Sequence, residues 1–394
     1  MKVMGCDLRW RNPNALNCVE DYRKAARGKL PPMAWTYVES GAEDMVTLHD
    51  NRAGFSNWNL RTRSLAGHGK PDLSTTIAGV KLKLPVLLAP TGYTGLSHWR
   101  GDIDTVRAAE RNGTRYVLST SASWSIEEVA NAASEEPIFQ LYPSQGDMAA
   151  KMMARAWVAG YRTLFLTVDV PVPGNRETWG QHVLMTPKRF MQTALHPRWV
   201  YHALRHQRLG GRNIIAGGTL ADALKAFAIQ TRELMQSTLN WEDVAWVRDQ
   251  WKGKVYIKGL LDPEDAQRAV ALGADGIVVS NHGGRQLDFA GSTIGALPGI
   301  VQAVGGRAEI LLDSGVRRGT DVIKALALGA NAVMVGRPYL YGLAVAGGAG
   351  VGHILEIFRS EMERALTLMG VPNVQSLDPT SLLPRDNPHS PAPD

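Results

Sequence analysis

Residues 276–288 read GIVVSNHGGRQLD: four apolar positions, then an abrupt change to polar groups and paired glycines. A strand with one face in water alternates apolar with polar residues, whereas an unbroken apolar run belongs to a strand buried on both faces of a parallel sheet. Seven further runs have this character: LPVLLAP from Leu84, RYVLST from Arg115, PIFQLY from Pro137, TLFLTVD from Thr163, KVYIKGL from Lys254, EILLDSG from Glu309 and AVMVGRP from Ala332. With Ile277 counted as the sixth start, the spacings are 31, 22, 26, 91, 23, 32 and 23 residues. Between them lie helical patterns such as DIDTVRAAERNG, SIEEVANAA and DPEDAQRAVALGA, which open near Ser or acidic caps and close near Gly.

Repeated βα units fit either a closed (β/α)8 barrel or an open doubly wound sheet. The strand ends favour the barrel. Nearly every run finishes in residues able to bind or react: Thr91, Ser119, Gln140 and Tyr142, Thr167 and Asp169, Lys258, His282, Asp313 and Arg337. In a barrel those ends converge on one mouth. The expectation is therefore an α/β chain built as one (β/α)8 TIM-barrel domain over residues 1–394. Residues 1–80 read as a helical cap followed by a hairpin in DLSTTIAGVKLKLP, and the 91-residue spacing after the fourth strand requires an insertion, placed at 171–250. The tail 385–394, rich in proline and charge, has nothing to bury and is expected to be mobile.

Composition narrows the class. Of 394 residues, 44% are hydrophobic and 20% charged, an ordinary globular mixture, and the net charge of +6 comes without the basic block of a nucleic-acid arm. An anionic ligand or lipid surface suits that charge better. Cys6 and Cys18 lack the spacing of a zinc site, and no metal is expected. The first residues lack a signal-peptide core and no run of about 18 apolar residues stands out as a membrane span, so a cytoplasmic location is expected.

In the opening stretch, His282 just past a strand end and Arg285 three residues on could act as general base and anion clamp for one substrate. Asp169 could orient the imidazole, Arg176 could add a second arm for a carboxylate, and Tyr37 and Tyr142 could bond a hydroxyl or carbonyl oxygen. A loop hydrogen bond for His282 and a surface ion pair for Arg176 are the plain alternatives. LLDSGVRRGTD and VMVGRP put Gly and Arg after strands seven and eight, the usual phosphate site of this barrel. The later AGGAGVG lacks the placement of a dinucleotide fingerprint and reads as a loop or helix cap.

With these residues assembled, the chain resembles the FMN-dependent L-2-hydroxy acid dehydrogenase and oxidase family from DYRKAARGKLP through LYGLAVAGGAG, with SNHGGRQLD similar to that family's signature. The resemblance implies FMN as cofactor and oxidation of an L-2-hydroxy acid, of lactate or mandelate type, to the 2-keto acid. It implies His282 as base with Asp169 as partner, Lys258 and Tyr142 in the catalytic set, and Arg285, Arg176, Tyr37 and Tyr142 around the substrate. It implies Pro90, Thr91 and Gly92 beside the reactive flavin nitrogen, and Ser119, Gln140, Thr167, Lys258 and Ser280 along the ring. Asp313 would hold the ribityl hydroxyls, and Gly315, Arg317, Gly336 and Arg337 the phosphate.

Oxygen-using members often resemble this stretch with Ala at position 92, so Gly92 implies a dehydrogenase passing electrons to a quinone or other acceptor. A peroxide-forming oxidase and a non-catalytic flavin-binding module remain the alternatives. By resemblance the chain is a homo-oligomer, a tetramer. Within the insertion, 188–215 mixes six Lys and Arg with Phe190, Leu195, Trp199, Tyr201 and Leu204. That suits peripheral association with the inner face of the cell membrane, and equally a lid or subunit contact.

Overall fold

The computed structural model describes residues 2–3, 6–7, 15–142, 146–178, 186–233 and 238–385. The tail expected to be mobile lies, from 386 onward, outside the described residues. Eight parallel strands form one sheet: β1 Val86–Leu88, β2 Val117–Leu118, β3 Ile138–Leu141, β4 Thr163–Thr167, β5 Lys254–Leu260, β6 Gly276–Val279, β7 Glu309–Leu312 and β8 Ala332–Val335. Each pairs with its neighbour in sequence, and β8 pairs with β1. A parallel bridge between Leu88 and Tyr116, with Leu88 N donating to Arg115 O at 2.9 Å, joins β1 to the start of β2. The sheet is thus a (β/α)8 barrel.

The unalternating strands serve two cores. Leu87, Val117, Phe165, Tyr256, Val278, Leu311 and Met334 fill the barrel, where Phe165 stacks on Tyr256 at 4.8 Å, and their neighbours pack outward against helices. The hairpin Thr75–Ile77 and Val80–Leu82 plugs the N-terminal end, with Ala78 N donating to Tyr256 Oη and Glu309 Oε2, both at 3.0 Å.

Three helices form the N-terminal cap: α1 Val19–Lys29, α2 Pro32–Glu39 and α3 Val46–Ala53. Between the early strands lie α4 Gly101–Arg111, α5 Ile126–Ala132 and α6 Asp147–Val158. Between β4 and β5 lie α7 Pro187–Ala194, α8 Pro197–His206, α9 Leu220–Glu233 and α10 Trp241–Gln250. The α9 helix buries Ala223, Ala226 and Gln230, whereas α7 and α8 bury no residue fully. After β5, β6 and β7 come α11 Pro263–Ala271, α12 Thr293–Val304 and α13 Gly319–Ala327.

The last helix, α14 Arg337–Met369, corrects two expectations. AGGAGVG lies inside it, at a kink where Ala346 and Gly347 leave helical geometry. By length and composition α14 could also cross a bilayer. Its apolar side, however, is mostly buried, packed on α1, α4 and α13, so that surface is already committed to the core.

One buried carboxylate fixes the loop after β2. Asp102, in the first turn of α4, accepts from Tyr116 Oη at 2.6 Å and from the backbone N–H groups of Ser123 and Trp124 at 2.9 and 3.0 Å. Burial pushes its pKa up to about 6, against the pull of those donors. A carboxyl raised on folding stabilises most when protonated, below its unfolded value near 3.8, and that contribution is lost as pH rises through 6. Asp102→Asn mimics the protonated form. The stability advantage of wild type over Asp102→Asn should therefore fall by roughly 2–3 kcal/mol between pH 4 and pH 7. Denaturant unfolding of both proteins across that range checks it; a difference that does not change with pH rejects the raised carboxyl.

Candidate active site at the barrel mouth

All eight strand ends reach one cavity of about 570 Å³. Pro90, Thr91, Gly92, Ser119, Gln140, Tyr142, Thr167, Lys258, His282, Asp313, Gly315, Arg317, Gly336 and Arg337 line it, joined by Tyr37 from α2 and by Arg176 and Arg285 from the loops after β4 and β6. Asp169 and Ser280 stand behind this wall and touch lining residues. Asp169 Oδ1 lies 3.1 Å from His282 Nδ1, and Ser280 Oγ accepts from Lys258 Nζ at 2.7 Å.

The opening motif is a turn in which each side chain has a separate task. His282, Gly283 and Gly284 all have positive φ, of 57°, 71° and 71°. The two glycines accept this at no steric cost, and a Cβ on Gly284 would come within 2.6 Å of Leu48 N. The turn presents the imidazole to the cavity. It also carries Arg285 back beneath α2, where Nη1 donates to the carbonyls of Tyr37 and Ser40 at 2.7 and 3.0 Å. Gln286 joins the neighbouring loop: its Nε2 donates to Asp169 O and Val172 O, and its Oε1 accepts from Gly174 N and Arg176 Nη2. Asp288 accepts from Val46 N and Thr47 N at the start of α3. Gln286 and Asp288 carry no role in the sequence reading because their partners are remote in the chain.

Electrostatics follow from enclosure. Burial lowers the His282 pKa, Lys258 and Arg176 push the same way, and Asp169 opposes them. Asp169 stays below the usual carboxylate range: burial would raise it, but His282 and Lys258 outweigh that. Lys258 is buried yet held above its ordinary value, because Asp313 at 2.9 Å and Asp169 outweigh desolvation. At pH 7 this describes a neutral imidazole beside a carboxylate and a fixed ammonium. With Nδ1–H directed to Asp169, the ring's lone pair is at Nε2.

Among the described residues, three buried polar atoms on this wall lack a protein partner, Tyr93 Oη, Gln140 Nε2 and Thr167 Oγ1. An orphaned buried donor is costly, so these atoms fit a ligand edge that accepts and donates hydrogen bonds. Across the cavity, α14 begins at Arg337 beside Gly336, and Gly315 and Arg317 follow β7. Unsatisfied N–H groups at a helix start, with guanidinium charge nearby, suit a phosphate. A flat ring with a polar edge, tethered to phosphate, matches the residues present, and FMN is such a molecule. Arg337 itself directs three nitrogens to carbonyls, Nε to Val38 and Nη1 and Nη2 to Gly283 and Ser40 at 2.9–3.0 Å, so its side chain also clamps α2 to the mouth.

The insertion supplies site residues that the sequence did not single out. Phe227 and Gln230 of α9 line the cavity, and Ser121 Oγ donates to Gln230 Oε1. Ser121 in turn bounds Gly92, where an added Cβ would sit 2.9 Å from Ser121 Cβ. Tyr37 Oη donates to Gly92 O at 3.1 Å. No periodicity within the insertion tells which barrel loop α9 covers.

Residues 26–384 match the family described as FMN-dependent dehydrogenase. The chain is 43% identical to an L-lactate dehydrogenase of Allorhizobium ampelinum, over 92% of this chain and 97% of that one. It is 40% identical to the (S)-mandelate dehydrogenase of Pseudomonas putida, over 92% and 93%. Its fold is similar to a crystal structure described as the monotopic membrane protein (S)-mandelate dehydrogenase, with TM-score 0.89 and 38% identity over 94% of this chain and all of that one.

The Asp169–His282 pair makes a measurable prediction. Because Asp169 raises the imidazole pKa against the other influences, Asp169→Asn should lower the His282 titration further. Histidine Cε1–H resonances followed from pH 4 to 8, with His282→Gln for assignment, give the result. A titration that does not move would separate the two side chains. The linkage sign is also fixed: a depressed histidine contributes stability above its unfolded value of 6.5 and loses it as pH falls.

Proposed function

The chain belongs to the FMN-dependent dehydrogenase family, and on that premise we propose how its mouth oxidises an L-2-hydroxy acid to the 2-keto acid and where the electrons go. The observation that carries the reading is the convergence of His282, Asp169, Arg285, Arg176, Tyr37 and Tyr142 beside the orphaned Gln140 and Thr167. Gln140, Thr167, Ser119 and Lys258 would hold the FMN ring, and the segments 315–317 and 336–337 its phosphate. Bound FMN supplies a two-electron acceptor for the substrate's α-hydrogen.

The chain's residues do the rest. Arg285 and Arg176 hold the substrate carboxylate, which fixes the α-carbon relative to His282. Tyr37 and Tyr142 bond the substrate oxygens. His282 Nε2 takes a proton as the substrate is oxidised, and Asp169 stabilises the resulting imidazolium without itself being protonated. Enclosure keeps His282 neutral beforehand, which is the state a base requires. The relatives named for L-lactate and (S)-mandelate handle one hand of the α-carbon, supporting the L-enantiomer here.

Gly92 supports a dehydrogenase that reoxidises through a quinone-like acceptor rather than oxygen. The relative described as a monotopic membrane protein supports peripheral membrane association. So do the exposed Phe190, Met191, Leu195, Tyr201 and Leu204 of the insertion, among Lys188, Arg198 and Arg205. The proposed location is the inner face of the cell membrane, where a lipid-soluble acceptor is within reach.

Anaerobic mixing of FMN-loaded protein with L-lactate and L-mandelate should bleach the flavin absorbance, and the D-enantiomers should not. On readmission of oxygen the colour should return slowly, and with a water-soluble quinone quickly. Rapid return with stoichiometric peroxide would make the protein an oxidase, and no bleaching by any 2-hydroxy acid would leave a binding module. His282→Ala should slow flavin reduction about 10³-fold while retaining FMN.

Arg285→Lys tests the carboxylate grip. An ammonium cannot reproduce the planar fork, and here it must also replace the bonds to Tyr37 O and Ser40 O. A loss of about 100-fold in kcat/KM is expected. Unchanged steady-state kinetics would place Arg285 outside the substrate site.

A further inference from the structure

A second cavity, of about 430 Å³, lies between the end of α1, the turn after β1, α8 and the kink of α14, and shares no lining residue with the first. Its chemistry differs from that of the mouth. Lys29, Arg198 and Arg208 line it, and among the described residues no carboxylate does. Arg208 is already paired with Glu128 at 3.0 Å. Lys29 Nζ donates only to a carbonyl, Val345 O at 2.6 Å, and Arg198 forms no hydrogen bond or ion pair among the described residues.

The remaining polar wall consists of donors or of groups that can become donors. His98 and His202 line the cavity, and His202 Nδ1 is buried without a partner. The nearby carboxylate, Asp104, sits behind the wall and is held by Arg100 at 2.7 Å, with His98 3.7 Å away. Burial lowers the Lys29 pKa and the Arg198 charge adds to that, so the two cations are close enough to feel each other. Several donors with surplus positive charge and no acid suit an anion with several oxygens.

The surroundings select which anion. Trp99, Trp199 and Leu195 line the same cavity, and Leu195 is 79% exposed at its lip. From there Phe190, Met191, Tyr201 and Leu204 continue the exposed apolar surface along α7 and α8. A small hydrophilic anion would have no use for that surface, whereas an amphiphile would cover both parts. We propose that this cavity seats the phosphate headgroup of an anionic membrane phospholipid, with its acyl chains running out along α7 and α8. The proposal rests on the peripheral membrane association argued above and adds a defined site to it.

The test uses the full-length FMN-loaded protein and two double variants that each remove two positive charges. Lys29→Gln with Arg198→Gln alters the cavity; Lys188→Gln with Arg205→Gln leaves it intact. Co-sedimentation is measured with phosphatidylcholine vesicles, with and without phosphatidylglycerol. Wild type should pellet with the anionic vesicles, and the cavity variant should lose at least about tenfold more affinity than the control variant, since diffuse attraction counts charges and not positions. Both variants should keep the wild-type rate of flavin reduction by substrate, which shows the fold intact.

Calorimetry with dihexanoyl phosphatidylglycerol below its micellar concentration should give one site per chain, absent in the cavity variant. Inorganic phosphate should bind far more weakly. Equal losses in the two variants would overturn the cavity site and leave only diffuse attraction. Inorganic phosphate binding as tightly as the lipid would overturn the lipid assignment in favour of a free anion. Wild type that pellets with no vesicle would remove the membrane reading itself, an outcome distinct from failure of the cavity alone.

Discussion

The mouth of this barrel gathers more positive charge than it can neutralise. Lys258, Arg176, Arg285, Arg317 and Arg337 line one cavity, against the enclosed carboxylates Asp169 and Asp313 and Glu177 at the exposed rim. Burial lowers the pKa of all four guanidinium groups. Because a guanidinium does not deprotonate in a protein, that depression expresses the cost of holding the charge there. A ligand bearing phosphate at one end of the cavity and a carboxylate at the other would offset the cost at both places. The surplus charge thus favours folding around an anionic cofactor and binding of an acid substrate by the same physics.

Protein groups carry part of that load. The carbonyls of Tyr37, Val38, Ser40 and Gly283 accept from Arg285 and Arg337, so the C-terminal end of α2 is bound electrostatically to the barrel. The cap is therefore part of the site's charge balance as well as a cover. The positive-φ turn at 282–284 serves the same end, because that reversal brings both His282 and Arg285 to the cavity from the end of one strand. Gln286 then fixes the loop carrying Arg176, with four hydrogen bonds to the segment 169–176.

Much of this was legible in the sequence because it is local. A strand buried on both faces announces itself by unbroken apolar residues, and its polar end by the next one or two positions. All eight strands were found that way, although β2 shortened to Val117–Leu118. What could not be read depends on contacts distant in sequence. Gln230 reaches Ser121 across 109 residues, and Arg337 reaches Val38 across 299. The AGGAGVG segment misled for a related reason: its glycines favour a loop locally, but tertiary packing holds them in a long helix with one kink.

The insertion shows how one segment can meet opposing demands. Its α9 helix turns small residues and Gln230 inward, and through Ser121 it sets the space around Gly92. Its α7 and α8 helices keep large apolar side chains in solvent, at a cost in hydration that only another surface would recover. These helices are not detached from the core: Trp199 Nε1 donates to Leu96 O at 2.8 Å, and Leu96 and Tyr93 lie in the cluster that also holds Leu209, Ala223 and Phe227. Tyr93 lines the first cavity, at the barrel mouth, and Leu209 the second one, so a single apolar partition separates them. A surface bound at α7 and α8 would then bear on the wall of the mouth cavity through packed side chains, with no need for the insertion to move as a lid.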